Sequence, residues 1–249
     1  MAKVFIINLE LDSKKREYIT GHFKERGISF ELINAIDGRE LSSDELNKLV
    51  DLKKAKEYNK NSMALGEIGC ALSHCLIYKK IIDDNLDGAF IFEDDIILPK
   101  NMKEIINSIY KQRDKIPKNS YISFNRSYIY FLRKVINITN DIGVYRTHLS
   151  HGTIGYYIDK QAAQTLLIAN TKIKYTADNQ QLVKKINRLS TNKVLLELNN
   201  SFDSTINQTR VIAHPKKNII KRCFRAFRDK FIRKKLSSLS IFVGIKRIT

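Results

Sequence analysis

The feature that most restricts the fold of this chain is an apolar stretch that runs straight into three acids. Ala89-Phe90-Ile91-Phe92 is followed at once by Glu93-Asp94-Asp95. The aromatic and β-branched run, opened by Gly88, predicts a short buried strand over 88–92. Ligands of open α/β sheets collect beyond the carboxyl ends of strands, which is where these carboxylates fall. Period-two alternation puts Glu93 and Asp95 on one side and Asp94 on the other. Three neighbouring like charges repel unless solvent or a cation compensates them. A hard divalent cation, Mn²⁺ or Mg²⁺, suits such oxygen ligands and would also bridge a diphosphate. An acidic turn that simply faces water is the competing reading of the triplet alone.

The rest of the pattern alternates strands with helices. Lys3–Leu9 reads as a buried strand, Asp12 or Ser13 caps a helix to about Arg26, and Ile28–Ile33 reads as a second strand closed by the Asp37-Gly38 turn. Ser42-Ser43-Asp44-Glu45 is an N-cap signature, and the polar stretch 52–62 is expected to be a loop. Leu65, Ile68, Leu72 and Leu76 recur at helical spacing within a helix from Ala64 to about Asp84. Further helices are expected at Met102–Tyr110, Lys160–Ala169 and Thr176–Leu189, with several strands between Tyr121 and Ile158. This order argues for an α/β sheet.

Within the longest helix, Leu65-Gly66-Glu67-Ile68-Gly69-Cys70-Ala71-Leu72-Ser73-His74 carries two glycines. Each costs roughly 1 kcal/mol relative to alanine in a helix interior, so close approach of another backbone or of a ligand is expected there. Glu67 and His74 are seven residues apart, hence on one face. Cys70 and Cys75 fall on different faces, which disfavours a zinc pair and suggests small core residues.

Composition adds one asymmetry. The chain holds 44 Lys and Arg against 26 Asp and Glu, a formal charge of +18. From Lys216 onward there are 12 basic residues and one acid, Asp229, so residues 1–215 are only mildly basic. Two units are therefore expected: a body over 1–215 and a basic tail over 216–249. Ile220, Phe224, Phe227 and Phe231 share a helical stripe in that tail among Lys and Arg, which suits an anionic membrane surface. Packing of those rings on the body is the plainer alternative. Three cysteines suggest a reducing compartment rather than a disulfide framework. Val4–Ile7 is too short and too soon followed by acids to be a signal peptide, so a cytosolic protein is expected.

Four blocks together resemble glycosyltransferase family 25, the bacterial lipooligosaccharide and lipopolysaccharide β-galactosyltransferases and their relatives. They are Val4–Leu9 with Arg16 and Ala35-Ile36-Asp37-Gly38; Gly66–His74; Ala89–Asp95; and Gly152–Ile158 with Ala162-Ala163 and then Asp178. The chain departs from the relatives in having no Trp, and Tyr78 stands where relatives often place an aromatic after the Ser-His pair. The resemblance implies a GT-A-like α/β nucleotide-sugar transferase domain followed by the basic amphipathic C-terminal helix. It implies a UDP-sugar donor, usually UDP-galactose, with inversion at the anomeric carbon, and a lipid-linked oligosaccharide acceptor. A peripheral place on the cytoplasmic face of the inner membrane would follow.

On that resemblance Glu93 and Asp95 hold the metal, completed by His148, His151 or, first among them, His214, and Asp94 orients them or touches the ribose. Asn8, Arg16, Asp37, Gly66, Ser73 and His74 are the expected donor-binding residues. Asp178 is the preferred base for the acceptor hydroxyl and Glu67 the second candidate. Two readings compete. A nucleic-acid-binding module would use the basic tail, but the body carries 25 acids and no recognised motif, so no nucleic-acid partner is expected. A metal-dependent phosphohydrolase would use the acidic triplet without any acceptor sugar.

Overall fold

The structure is a computed structural model and describes residues 2–59, 62–125, 127–150, 152–202 and 245–246. The chain begins with β1 (Lys3–Asn8), α1 (Ser13–Glu25), β2 (Glu31–Asn34), α2 (Ser43–Leu49), α3 (Leu52–Asn59), α4 (Leu65–Asp83) and β3 (Gly88–Phe92). There follow β4 (Ile96–Ile97), α5 (Met102–Lys111), β5 (Ser120–Ser123), β6 (Ser127–Asn137), β7 (Gly143–Ser150), β8 (Gly155–Asp159) and α6 (Lys160–Ala169). The last elements are β9 (Asn187–Thr191), β10 (Glu197–Leu198) and β11 (Ile245–Lys246).

Nine strands form one mixed sheet in the order β11-β6-β7-β9-β5-β8-β3-β1-β2. β1 pairs in parallel with both β2 and β3, while β8 runs antiparallel between β3 and β5. The chain thus steps to one side of β1 for β2 and to the other for β3, which makes the carboxyl end of β1 a switch point.

Alternation along β1 and β3 sorts the core into two layers. Val4, Ile6, Phe90 and Phe92 face Ile19 and Phe23 of α1 and Met102, Ile105 and Ile109 of α5. Phe5, Ile7, Ala89 and Ile91 face Ile77, Tyr78 and Ile81 of α4 and Ala162, Ala163 and Leu166 of α6. All eight strand residues are buried, and each of the larger ones stabilises the fold by about 1.5–3 kcal/mol through burial. A smaller cluster of Val50, Ala55, Ile68, Leu72 and Ile173 packs on the outer side of α4. The expected apolar stripe of α4 is therefore only partly a core stripe. Leu65 and Leu76 lie on the surface, and α4 is covered from both sides.

The expected boundaries of β3 and α6 match the structure, and Asp12 and Ser42 cap α1 and α2 through their side chains. The second strand is shorter and later than expected, spanning Glu31–Asn34. Two segments differ outright. Residues 52–59, expected to be a loop, form α3, with only Ala55 buried. Its polarity reflects exposure, and Leu, Lys, Ala and Glu are good helix formers. The expected helix Thr176–Leu189 is instead a short 3₁₀ turn at Ala177–Leu182 and then β9. Parallel pairing of Ser120–Ser123 with Asn187–Ser190 decides that segment, and Leu189 is fully buried there. The stripe of the basic tail, His151 and His214 lie outside the described residues. No described helix is long and apolar enough to cross a membrane.

Candidate active site

Beyond the carboxyl ends of β1, β2 and β3 opens a cleft of about 370 Å³. Its floor is the end of β1 and the acidic bend after β3. Its walls are the loop Ala35–Arg39, the first turns of α4, the segment Gly152–Ile154 and the turn Thr176–Asp178.

The acidic bend departs from strand alternation after one residue. Glu93 keeps the strand's hydrogen bonding, its amide donating to Ile154 O at 3.0 Å, and its carboxylate turns to the α4 side. Asp94 and Asp95 then bend together toward α1. Lys15 Nζ lies 3.3 Å from Asp95 Oδ2 and 3.7 Å from Asp94 Oδ1. The expectation that Glu93 and Asp95 share a side is corrected accordingly: the strand ends at Phe92, and with it the period of two.

Asn8, only 1% exposed, ties this bend to the neighbouring strand. Its Nδ2 donates to Asp94 Oδ2 at 2.7 Å, while its Oδ1 accepts from Arg16 Nε at 2.7 Å. Arg16 Nη2 in turn donates to Asn34 Oδ1 at 2.9 Å. Arg16 therefore clamps the ends of β1 and β2 from outside the cleft, and it is Lys15 that enters the cleft lining. Sequence reasoning passed over Lys15. The available signal was the Asp12 cap, which accepts from the Lys15 amide at 3.2 Å and so places that residue in the first turn at the sheet end.

The electrostatics follow from this crowding. Burial, only partly offset by Lys15 and Asn8, pushes the Asp94 carboxyl up to about 6. Burial and the Glu93 charge also raise Asp95. Burial opposes the Lys15 charge, but Asp94 and Asp95 outweigh it and hold that ammonium above its ordinary value. Burial likewise opposes ionisation of Glu93, yet His74, the Thr153 hydroxyl and Lys15 together keep it below the usual range. Asp37 is held low by the hydrogen-bonded Arg39 guanidinium. It lines the cleft as an ion pair.

The glycines of α4 and of the earlier loop Ala35–Arg39 meet backbone to backbone. A Cβ on Gly69 would stand 2.4 Å from Ile36 O, and one on Gly38 only 1.9 Å from Leu65 O. Ser73 locks the contact: its hydroxyl accepts from Ile36 N at 2.8 Å and donates to Gly69 O at 2.7 Å. Ser73 thus positions the Asp37 loop. Gly66 lines the cleft beside Glu67, whose carboxylate accepts from Ala64 N at 2.9 Å and closes the helix start.

Across the cleft, Thr153 Oγ1 lies 2.7 Å from Glu93 Oε1 and 3.4 Å from Asp178 Oδ1. The single hydroxyl proton serves Glu93 at the shorter distance, and Asp178 stands beside the same oxygen as a second acceptor, an arrangement with no signature in the sequence. His74 sits behind this group, 1% exposed, with Nδ1 2.6 Å from the Tyr156 hydroxyl and Nε2 3.8 Å from Glu93 Oε1. Cys70, expected in the core, lines the cleft instead, because α4 turns that face to the acids. Among the described residues one trio of metal-ligand side chains has donor atoms all within 4.8 Å of one another, and it is Cys70, His74 and Glu93 rather than the acidic triplet. Asp95 Oδ1 is nevertheless buried with no hydrogen-bond partner. Asp94 and Asp95 with one ammonium between them leave negative charge uncompensated. That donor set fits Mg²⁺ or Mn²⁺, which bind through one or two carboxylates plus substrate phosphates.

Comparison with known proteins follows the same residues. The model of glycosyltransferase family 25 (LPS biosynthesis protein) matches residues 1–181. A glycosyltransferase 25 family member of Aedes aegypti is 30% identical over 171 residues, covering 67% of this chain and 28% of that protein. Procollagen galactosyltransferase 2 of Homo sapiens is 27% identical over 175 residues, 68% of this chain and 28% of its own length. A putative glycosyltransferase of Haemophilus influenzae is 28% identical over 231 residues, 84% of this chain and 77% of its own. The chain thus spans under a third of the two animal relatives and most of the bacterial one. The family match covers the cleft lining from Ile7 to Asp178, all of it but Leu198, and this chain belongs to glycosyltransferase family 25.

Proposed function

We propose that this chain transfers a sugar from a nucleotide diphosphate donor, UDP-galactose in the most specific form, to a hydroxyl of a glycan acceptor with inversion. The observation that carries the reading is the acidic bend facing the glycine-rich start of α4 across the cleft at the sheet's switch point. Family membership and the galactosyltransferase named among the relatives support it. In this reading the domain is GT-A-like and spans residues 1–215.

Asp94 and Asp95 would hold Mn²⁺ or Mg²⁺ against the diphosphate, in preference to the Glu93 and Asp95 pair. The cation, when bound, supplies Lewis-acid stabilisation of the departing UDP. Asn8 fixes the Asp94 carboxylate, and Lys15 adds a positive charge on the same side of the cleft. Asp37 and Arg39 offer an acceptor and donors to the nucleoside from the opposite wall. Asp178, on the exposed rim, takes the proton of the acceptor hydroxyl. Its carboxylate stands 3.4 Å from the Thr153 hydroxyl. Glu67 has its carboxylate engaged by the helix start, which favours Asp178 over it.

The acceptor is proposed to be a lipid-linked oligosaccharide at the cytoplasmic face of the inner membrane. The cationic and aromatic tail after Lys216 would dock on anionic lipid. A panel of UDP-sugars with and without Mn²⁺, read by thermal shift and UDP release, tests the reading. One sugar nucleotide at about 100 times its Kd should stabilise the fold by about 2.7 kcal/mol, and do so only with metal. UDP release should need an acceptor. No response across the panel refutes the donor site, and phosphate release from nucleotide without acceptor favours a phosphohydrolase.

A further inference from the structure

We propose that Cys70, His74 and Glu93 form a second metal site in the cleft wall, one for a thiophilic divalent cation such as Zn²⁺. The donor atoms of all three lie within 4.8 Å of one another. Typical zinc bonds of about 2.0–2.3 Å imply ligand-to-ligand edges of roughly 3.3–3.7 Å in a tetrahedron. The His74 Nε2 to Glu93 Oε1 separation of 3.8 Å already nearly matches such an edge. Rotation of the Cys70 and Glu93 side chains, both at the cleft surface, closes the remainder.

His74 supplies the independent sign of a ligand. Its ring is 1% exposed, and Nε2 has no hydrogen-bond partner. A separation of 3.8 Å from Glu93 is too long for a hydrogen bond. Leaving such an atom unsatisfied is costly, and a cation at that point would satisfy it. The ring is already oriented for it. Nδ1 meets the Tyr156 hydroxyl at 2.6 Å, and that hydroxyl lies 2.9 Å from the Tyr78 hydroxyl. In the tautomer with Nδ1 donating to Tyr156, Nε2 is left to bind a cation placed between it, Glu93 and Cys70, the arrangement that orients zinc-bound imidazoles in general.

Ligand chemistry separates this trio from the Asp94 and Asp95 pair. A thiolate and an imidazole select Zn²⁺ or Co²⁺ over Mg²⁺ and Mn²⁺, which prefer oxygen. Three protein ligands leave a fourth position open toward the cleft. Cys75, five residues on, offers no rival, since burial pushes its thiol up to about 12. A cation held here draws Glu93 from Thr153 and so frees that hydroxyl to donate to Asp178.

The test uses the purified, metal-stripped full chain and needs no sugar donor, so its failure is separate from failure of the transferase reading. Co²⁺ titration should produce a near-ultraviolet thiolate-to-metal charge-transfer band at one equivalent, displaced by Zn²⁺. Cys70→Ser should abolish the band and weaken Zn²⁺ binding, measured against a chromophoric chelator, by about 100-fold, whereas Cys223→Ser should retain both. In the unmutated chain Zn²⁺ should slow iodoacetamide labelling of Cys70, mapped by peptide mass spectrometry, so that the outcome does not hinge on a variant folding. Absence of the band, its survival in Cys70→Ser, or equal Cys70 labelling with and without Zn²⁺ overturns the proposal.

Discussion

Replacing glycine by alanine at two helical positions should have opposite effects, and the comparison tests how the cleft wall is built. Gly21 lies within α1 with nothing within 4 Å of where its Cβ would be. Gly21→Ala should therefore return about 1 kcal/mol of helix propensity. Gly69 lies in α4, where the same methyl would stand 2.4 Å from Ile36 O and 2.5 Å from Gly38 N. Ordinary contacts need about 0.8–1 Å more, and the neighbours are backbone, which cannot swing aside. Separation of α4 from the loop would also strain the 2.8 Å bond between Ile36 N and Ser73 Oγ. Overpacking costs about 1–3 kcal/mol and a weakened buried hydrogen bond about 1 kcal/mol, against the same gain of about 1 kcal/mol. The net for Gly69→Ala is a loss of about 1–3 kcal/mol, and the two variants should differ by about 2–4 kcal/mol. For a chain of this size the thermal midpoints should part by roughly 4–16 °C. Urea and thermal unfolding followed by circular dichroism measure both. A Gly69→Ala protein as stable as the unmutated chain would show that α4 and the loop do not meet as described.

Asp94→Asn should stabilise the metal-free protein while abolishing metal-dependent activity. With a folded pKa of about 6 against an ordinary 3.8, Asp94 keeps its proton in the fold after the unfolded chain has lost it. Stability therefore falls as pH rises from about 4 to 6, by at most about 3 kcal/mol at 1.36 kcal/mol per pH unit. The advantage of the Asp94→Asn variant in denaturant titrations should be largest near pH 7.5 and shrink toward pH 4; a pH-independent difference contradicts the assignment. Asp178→Asn should lower kcat by about 10²–10⁴ with little change in donor KM, whereas Glu67→Gln, which can still accept at the helix start, should lose far less turnover. Equal losses in steady-state assays would remove Asp178 from its role. Truncation after Pro215 should abolish co-sedimentation with anionic vesicles, and equal binding of the intact chain to neutral vesicles would count against electrostatic docking.

Local patterns in the sequence determined the pieces that depend on near neighbours. The apolar run of β3, the bounds of α6 and the caps at Asp12 and Ser42 were legible because strand period, helix period and capping are set within a few residues. The place of the carboxylates just beyond β3 was legible for the same reason. What needed the tertiary structure was everything decided by partners distant in sequence. Helical spacing at 176–189 lost to pairing with β5, since a ladder partner 67 residues away is invisible to periodicity. The bend after Phe92 sends Asp94 and Asp95 to Lys15, some eighty residues earlier, and leaves Glu93 to Thr153 and His74. Which carboxylate meets which cation is a matter of packing three elements around one sheet end, and no local rule encodes it.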